Sequence, residues 1–367
     1  MPFRLDDPTL PVLSGTVAID GRAIGTGEPC YIIAEAGSNH GRKLATALAL
    51  VEAAAAAGCD AVKFQTFSGP DIAADFVNEE TVPGPNARKW GGKLLDIYRT
   101  WALPDEFHEP LAQRAGELGI DFFSSAFSEQ AVDRLVKLGV PAIKIASFEL
   151  VHLPLIRHAA ASKLPLILST GMAGLGEIER ALGAVVEGGG DQVILLHCGS
   201  SYPLSAASAN LNAMETLRRA FRVPIGYSDH TTGIGVPIAA AALGAAVLEK
   251  HFTLDRTSEG PDHAFAIEPG ELTQMVKLMR EAEAALGSSR KFRQPEERGP
   301  SRRGRRSLFA ARPLAAGERL LPDAVKVVRP GIGLEPAFLD LVVGRVLIRP
   351  VAGDEPLTWD HFLSSGT

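Results

Sequence analysis

From Tyr31 onward the sequence repeats one unit eight times: a short apolar run, a polar tip, then a helical stretch. The runs are YIIAEAG, DAVKFQTF, IDFFSSAF, PAIKIASF, LPLILSTG, QVILLHCG, VPIGYSDH and AAVLEKHF. Strands apolar at nearly every position have both faces covered, as in a parallel sheet enclosed by helices. The spacing predicts helices over 43–57, 105–118, 129–138, 153–162, 176–188, 210–221 and 236–243. A last one, 269–286, opens with Pro269 and stops before Gly287. Eight strand–helix units in about 260 residues match the count and size of a closed α/β barrel, the TIM (β/α)8 fold. A doubly wound open sheet would also alternate, but it calls for fewer units and a GxGxxG turn after a strand, and none is present.

With 367 residues the chain is too long for one ordinary core, so further domains are expected around a barrel over 29–287. Residues 1–28 are rich in Pro, Gly and Asp, and TVAIDGRAIG reads as a hairpin turning at Asp20-Gly21. The long insertion between Phe67 and Pro104 is expected to be a functional loop over the barrel mouth. A basic stretch follows Gly287, with eight basic and two acidic side chains in SSRKFRQPEERGPSRRGRRS. Charge alone would permit a nucleic-acid arm; its Gly and Pro favour a solvated linker over 288–306 that carries charge near an anionic substrate. Residues 307–367 are expected to form a small β-rich domain with turns at Ala316-Gly317, Pro330-Gly331 and Ala352-Gly353.

A net charge of −6 argues against a general nucleic-acid binder. Cys30, Cys59 and Cys198 lie in or beside apolar runs without metal-ligand spacing, as buried thiols in a reducing compartment would. The start, MPFRLDDPTLPVLSG, lacks a signal-peptide core, and no apolar run reaches membrane-spanning length. The expected location is cytoplasmic.

Barrel enzymes work at the C-terminal ends of their strands. Those tips hold Glu35, then Lys63 with Gln65, Ser124 and Ser125, and Lys144 with Ser147 and Glu149. Next come Ser169, Thr170 and Gly171, His197 and Tyr202, Ser228 and His230, and Glu249 and His251. A rim of lysines, hydroxyls and glycines suits a phosphorylated or carboxylated small molecule. His230 and His251, on the last two tips with Asp229, Glu249 and Asp262 nearby, could hold one divalent metal able to polarise a carbonyl.

Each residue also has a plainer reading. A strand-end histidine is more often structural than a ligand. Lys63 could simply pair with a carboxylate, Glu35 could be half of an interior ion pair, and Lys144 could be a Schiff-base nucleophile of an aldolase. His108, His158 and His361 read as surface or packing residues. A non-enzymatic chain, with the barrel as scaffold and the C-terminal domain binding carbohydrate or ice, is the remaining alternative.

The segments IIAEAGSNHG, DAVKFQTF, PAIKIASFEL, LILSTGM, LLHCGSSYP, IGYSDHT, LEKHFTLD and GPDHAF resemble the sialic acid synthase family. RSLFAARPLAAGERL and VVRPGIGL are similar to its C-terminal SAF (antifreeze-like, β-clip) domain. The resemblance runs from about Tyr31 to Phe362 and implies a phosphoenolpyruvate-dependent transferase. Such an enzyme condenses phosphoenolpyruvate with an open-chain acylated amino sugar and releases phosphate.

Carried onto this chain, the resemblance implies that Lys63, Lys144, Ser147, Ser169 and Ser228 hold phosphoenolpyruvate. Glu35 would act with Lys63 and Lys144 in catalysis, handling the attacking water or stabilising a cation. His230 and His251 would hold a divalent metal ion, Mn2+ first, with Mg2+ or Co2+ as alternatives. Gln65, Glu149, Tyr202 and Asp262 would face the sugar. Arg329 would reach it from the C-terminal domain of a partner subunit, which implies a domain-swapped homodimer.

Within the family, KWGGKLLDIYRTWALPDEFH and PGIGLEPAFLDLVVGRVLIRPVAGDEPLTWDHF look most like pseudaminic acid synthases, which implies an altro-configured diacetamido-trideoxyhexose. Ser200 stands where N-acetylneuraminate synthases usually carry an asparagine that contacts the acylamino sugar. Against that subgroup, AEAGSNHG departs from the form expected of pseudaminate enzymes, and Gly41-Arg42 replace the common Asn-Gly. N-acetylmannosamine and the manno-configured diacetamido sugar of legionaminate synthases are the alternatives.

Overall fold

The structure, a computed structural model, describes residues 12–76 and 93–363. Two antiparallel strands, β1 (Thr16–Ile19) and β2 (Arg22–Gly25), turn at Asp20-Gly21, where both residues take positive φ. Val17, Ile19 and Ile24 from this hairpin are buried in the main core. Its polar groups bond residues that precede barrel strands. Ala18 N–H donates to Gln192 Oε1 at 3.1 Å, Ser14 N–H donates to Asp191 O at 2.9 Å, and Arg22 pairs with Asp60. The hairpin therefore closes the N-terminal end of the barrel.

The barrel begins with β3 (Tyr31–Glu35), α1 (Leu44–Ala56), β4 (Ala61–Thr66), α2 (Gly69–Ile72), α3 (Leu94–Trp101), α4 (His108–Leu118) and β5 (Asp121–Ala126). It continues with α5 (Glu129–Leu138), β6 (Ile143–Ile145), α6 (Leu153–Ala161), β7 (Leu166–Ser169), α7 (Leu175–Glu187) and β8 (Val193–Cys198). It ends with α8 (Ala213–Phe221), β9 (Ile225–Asp229), α9 (Gly235–Ala242), β10 (Val247–His251) and α10 (Pro269–Leu286). All eight strands β3–β10 pair in parallel, and β10 closes the ring on β3 with His251 opposite Glu35. The expected TIM (β/α)8 architecture is the observed one. Local signals fix the helix starts: the Ser128 hydroxyl accepts Ala131 N–H at α5, and the Glu271 carboxylate accepts Glu268 N–H at 3.0 Å where Pro269 opens α10.

The insertion after Phe67, expected as a functional loop, is partly helical. It carries α2 and α3, and Leu95 and Ile97 bury the inner face of α3; the rest of that expectation, residues 77–92, lies outside the described residues. Residues 105–107 form a tighter 3-10 turn ahead of α4. Among the described residues no helix is long and apolar enough to cross a membrane.

Contacts divide the chain into two compact units, Met1–Gly287 and Ser288–Thr367. In the second unit, the stretch read as linker contains a short helix, α11 (Arg298–Gly304). Strands β11 (Ser307–Ala310) and β12 (Val325–Val328) pair antiparallel with Leu308 opposite Val327. The short helix α12 (Leu339–Val342) and bridges Leu314–Val351 and Arg319–Val346 complete a small β-rich fold around Leu308, Leu320, Leu347 and Leu357. The last turn falls one residue later than expected, at Gly353-Asp354, where Asp354 takes the positive φ.

Candidate active site

Successive side chains of a strand face opposite sides, and this alternation sorts the polar tips into two sets. Facing inward near the carboxyl ends are Glu35, Lys63, Gln65, Ser125, Lys144, Ser169, Cys198, Ser228, Glu249 and His251, joined by the contacts that follow. Ser124 and His197, expected on the rim, face the helix layer instead. Ser124 Oγ accepts from Thr66 Oγ1 at 2.7 Å, whose hydroxyl also meets His108 Nε2 at 2.8 Å, while His197 Nε2 donates to Ala209 O at 3.0 Å. Asp229, expected beside the histidines, also faces outward and pairs with Lys250. One step along a strand exchanges the two faces, and these three residues carry the wrong parity.

Two buried lysines anchor the pocket floor. Lys63 Nζ lies 2.7 Å from Glu35 Oε2 and 3.6 Å from Glu249 Oε2, and it donates to Ser125 Oγ at 2.9 Å. Burial works against its charge, but Glu249 and Glu35 outweigh that and hold the ammonium above its usual range. Lys144 Nζ donates to Ser169 Oγ at 2.5 Å and to Ile145 O at 3.0 Å. Among the described residues no carboxylate lies in salt-bridge range of it, and its burial prevails and lowers it.

The two carboxylates are driven apart. Burial raises Glu35 despite Lys63, and the Gln65 amide donates to Glu35 Oε1 at 2.8 Å. Burial would raise Glu249 as well, but Lys144, Lys63 and the Ser228 hydroxyl, which donates at 2.8 Å, pull it down. Paired carboxyls separated in this way can divide proton-transfer and charge-stabilising roles.

The imidazoles of His230 and His251 lie 5.4 Å apart between centroids. His230 Nδ1 meets Gly199 O at 2.7 Å; a carbonyl only accepts, so this nitrogen carries the proton and Nε2 keeps its lone pair. A metal-binding histidine is commonly oriented by such a backbone carbonyl. His251 Nδ1 is buried without a hydrogen-bond partner. Burial lowers both histidines, His251 well below its usual value with His230 and Lys63 adding to the effect, a direction that favours the neutral form metal ligation requires. Among the described residues no group of three or more His, Cys, Asp or Glu side chains forms a metal cage. The pair fits a site with two protein ligands whose other positions stay open to substrate or water.

Around this pair the walls are aromatic and acidic. The Tyr202 ring packs 4.2 Å from His230, and Phe265 lies 5.1 Å from His251 and 5.5 Å from Tyr202. Asp262 Oδ2 accepts from Ser38 N–H at 3.0 Å and Ser38 Oγ at 2.8 Å. Gly37 permits that approach: its φ is +51°, and a Cβ there would sit 2.6 Å from Asp262 Oδ2 and 3.5 Å from His251 Nδ1. Ser147 Oγ accepts Gly171 N–H at 3.1 Å and lies 3.2 Å from Cys198 Sγ, while a Cβ on Gly171 would collide with Ser200 Oγ. Glu149 Oε2 and Ser200 Oγ are buried without hydrogen-bond partners, and burial pushes the Glu149 carboxyl up to about 7. Unsatisfied polar atoms of this kind suit a polar ligand.

The structure thus gathers Glu35, Lys63, Gln65, Lys144, Ser169 and Ser228 at one barrel mouth, with Ser147, Glu149, Tyr202, Asp262, His230 and His251 on the loops and strand ends around it. Arg329 belongs to the second unit, exposed directly after β12. Glu249, expected at the tip beside His251, shares the inward face of β10 with it and joins the lysine and serine network. Cys198, read only as a buried thiol, and Phe265, given no role, escaped the sequence reading as site members. Tyr98 of α3 packs edge-on against Phe67 at 5.7 Å; burial first, then the Glu149 and Asp262 carboxylates, raise its phenol, which places α3 at the mouth.

Comparison with known proteins accords with this geometry. The model of the NeuB family matches residues 50–291, and that of the SAF domain matches 305–363. The chain is 40% identical to the N,N'-diacetyllegionaminic acid synthase of Legionella pneumophila, over 92% of this chain and 96% of that protein. It is 34% identical to the pseudaminic acid synthase of Helicobacter pylori, over 91% and 98% respectively. Among solved structures, N-acetylneuraminic acid synthetase from Leptospira borgpetersenii superposes with a TM-score of 0.70 at 34% identity, covering 78% of this chain and 95% of that one.

Proposed function

The chain belongs to the NeuB family, and from that premise we propose that it is a sialic-type nonulosonic acid synthase joining phosphoenolpyruvate to an open-chain acylated amino sugar. The observation that carries the reading is the pair of buried lysines, each bonded to a serine hydroxyl, inside a barrel mouth that also holds two buried histidines. Lys63, Lys144, Ser147, Ser169 and Ser228 supply the cations and hydroxyls that a phosphate and a carboxylate need. His230 and His251 would hold a divalent cation, Mn2+ first, which would draw charge from the aldehyde oxygen.

In this reading the C2=C3 electron pair of phosphoenolpyruvate attacks the aldehyde carbon and forms the C3–C1 bond, and the aldehyde oxygen takes up a proton. Cationic character develops at C2, where Glu35 and Glu249 offer negative charge. Water adds at C2 and gives its proton to Glu35, whose raised carboxyl suits proton exchange near neutral pH. The adduct then breaks its C2–O bond to phosphate as its C2 hydroxyl passes a proton to the departing phosphate oxygen, leaving a 2-keto acid and inorganic phosphate. The proton Glu35 took from water balances the one the aldehyde oxygen received. Tyr202, Phe265, Glu149, Asp262 and Gln65 surround the space for the sugar. The reading includes a domain-swapped homodimer in which Arg329 of one protomer reaches the sugar of the other; an active monomer would remove that part.

Two sugars are favoured by different observations. The segments before β5 and at the C-terminus resemble pseudaminic acid synthases and favour the altro-configured diacetamido sugar. Identity to legionaminate synthases, 40% and 36%, exceeds the 34–35% to pseudaminate synthases and favours the manno-configured one. Phosphate release from phosphoenolpyruvate is measured with both sugars and with N-acetylmannosamine, and products are identified by mass and NMR. Release with none of them would overturn the proposal.

A further inference from the structure

A buried ion pair lies back to back with the histidine pair. Asp229 and Lys250 are opposite one another across β9 and β10, one residue before His230 and one before His251. Alternation therefore sends the ions toward the helix layer at the level where the imidazoles face the mouth. Lys250 Nζ lies 2.5 Å from Asp229 Oδ2 and also donates to Thr231 O. Asp229 Oδ1 accepts Thr231 N–H at 3.2 Å and the Thr231 hydroxyl at 2.9 Å. Both neighbours of His230 are thus gripped from the strand that carries His251.

Stability is a poor account of this cluster. Asp229 and Lys250 are each 1% exposed, and an apolar pair in such a place commonly supports a fold as well or better. Hydrogen-bonded ions supply what an apolar pair lacks, which is directional fixing of the groups they hold. His230 is otherwise tied to the loop after β8, through Leu204 N–H donating to His230 O at 2.8 Å and through its own ring to Gly199 O. Beyond the ladder hydrogen bonds, two side-chain links among the described residues join this end of β9 to β10: Ser228 Oγ to Glu249 on the inward face, and the Asp229–Lys250–Thr231 cluster, which alone of the two grips the residues on either side of His230.

We propose that Asp229, Lys250 and Thr231 are positioning residues that set the separation and orientation of the His230 and His251 imidazoles for a divalent cation. The inference rests on the metal reading given above. It requires neither a new ligand nor a proton shift, since the cluster acts through the backbone on either side of His230.

The test is Mn2+ affinity of the full chain, by calorimetry and by electron paramagnetic resonance of free Mn2+, alongside melting temperature. The apolar double variant Asp229→Leu/Lys250→Met removes both charges together and leaves none unpaired. It is expected to melt close to the parent and to bind Mn2+ about 10–100-fold more weakly, the range typical of groups that orient metal-bound histidines. Lys250→Arg should recover part of the loss. Should the double variant fail to fold, Thr231→Val, which keeps both charges, carries the test and should weaken Mn2+ by a smaller factor at an unchanged melting temperature. A folded double variant, or in its place a folded Thr231→Val, with parental Mn2+ affinity overturns the proposal. The control His230→Ala/His251→Ala separates the two readings: if it keeps parental Mn2+ binding, the metal reading falls and takes the cluster with it. If it loses Mn2+ while the cluster variants do not, only the present inference falls.

Discussion

Lys63 Nζ sits 2.7 Å from Glu35 Oε2, with both groups closed off from solvent. The contact joins neighbouring strands at residues whose register is fixed by the ladder, so neither partner can leave without the other meeting a low-dielectric pocket. Glu35→Gln keeps the shape and removes the base. Phosphate release should fall about 10²–10⁴-fold in kcat, with a smaller change in KM for phosphoenolpyruvate, because Lys63 retains Ser125 and Glu249. Near-parental kcat in a folded Glu35→Gln variant would exclude proton transfer through this carboxylate.

Lys144 separates two chemistries. A lysine lowered by burial is what a Schiff-base enzyme uses, yet Lys144 donates to Ser169 Oγ and Ile145 O, an arrangement that also suits an anion site. If it holds phosphoenolpyruvate, Lys144→Met should lose a charged hydrogen bond of about 1.5–3 kcal/mol and raise KM for that substrate more than KM for the sugar. Borohydride should then trap nothing on the parent chain. A reduced adduct on Lys144, with activity intact in EDTA, would establish the aldolase instead.

How much of this was legible before the fold was known depends on the kind of signal. The eight strands are continuous apolar runs, so each was visible on its own, and their number implied closure. The face of each tip was harder. Ser124 and His197 stand beside inward residues, yet lie one step out of phase with Ser125 and Cys198. Glu249, named at the same tip as His251, is in phase with it and does face the mouth. Helix α3 was hidden because a Gly-rich stretch precedes it, and α11 because two Gly, a Pro and a Ser outweigh the helix propensity of its Arg residues and only context forms that turn. The raised Glu149 carboxyl was not legible at all, since burial is a property of the assembled mouth.

Removal of divalent metal should abolish phosphate release, and added Mn2+ should restore it. Both His230→Ala and His251→Ala should remain inactive over the same Mn2+ range, because each takes away one of the two protein ligands proposed above. Full turnover by metal-free parent chain, verified by elemental analysis, would count against this assignment.

Gly37→Ala probes the approach of Asp262 to the histidines. The new methyl would sit 2.6 Å from Asp262 Oδ2 on a backbone at φ +51°. Strain of this kind costs about 1–3 kcal/mol, so the melting temperature should fall. The displaced carboxylate should raise KM for the sugar while leaving KM for phosphoenolpyruvate near its parental value. An unchanged sugar KM would detach Asp262 from the sugar site.

Glu149 links the site to the pH dependence of stability. Its carboxyl is raised from 4.5 to about 7 in the fold, chiefly by burial. Below pH 4.5 the group is neutral in both folded and unfolded chains and favours neither. As pH rises from there toward 7, the unfolded chain ionises first and gains stability over the fold, until the folded carboxyl ionises too near 7 and the loss levels off. At 1.36 kcal/mol per pH unit the loss is at most about 3 kcal/mol, reduced by whatever solvent reaches the partly exposed group. Glu149→Gln cannot ionise and lacks this slope. Its melting temperature should therefore track the parent near pH 4 and rise above it by pH 8, in thermal scans at constant ionic strength. A difference that stays flat across the window would show that Glu149 is solvated in the free chain and that its unpaired oxygen is not held ready for a ligand.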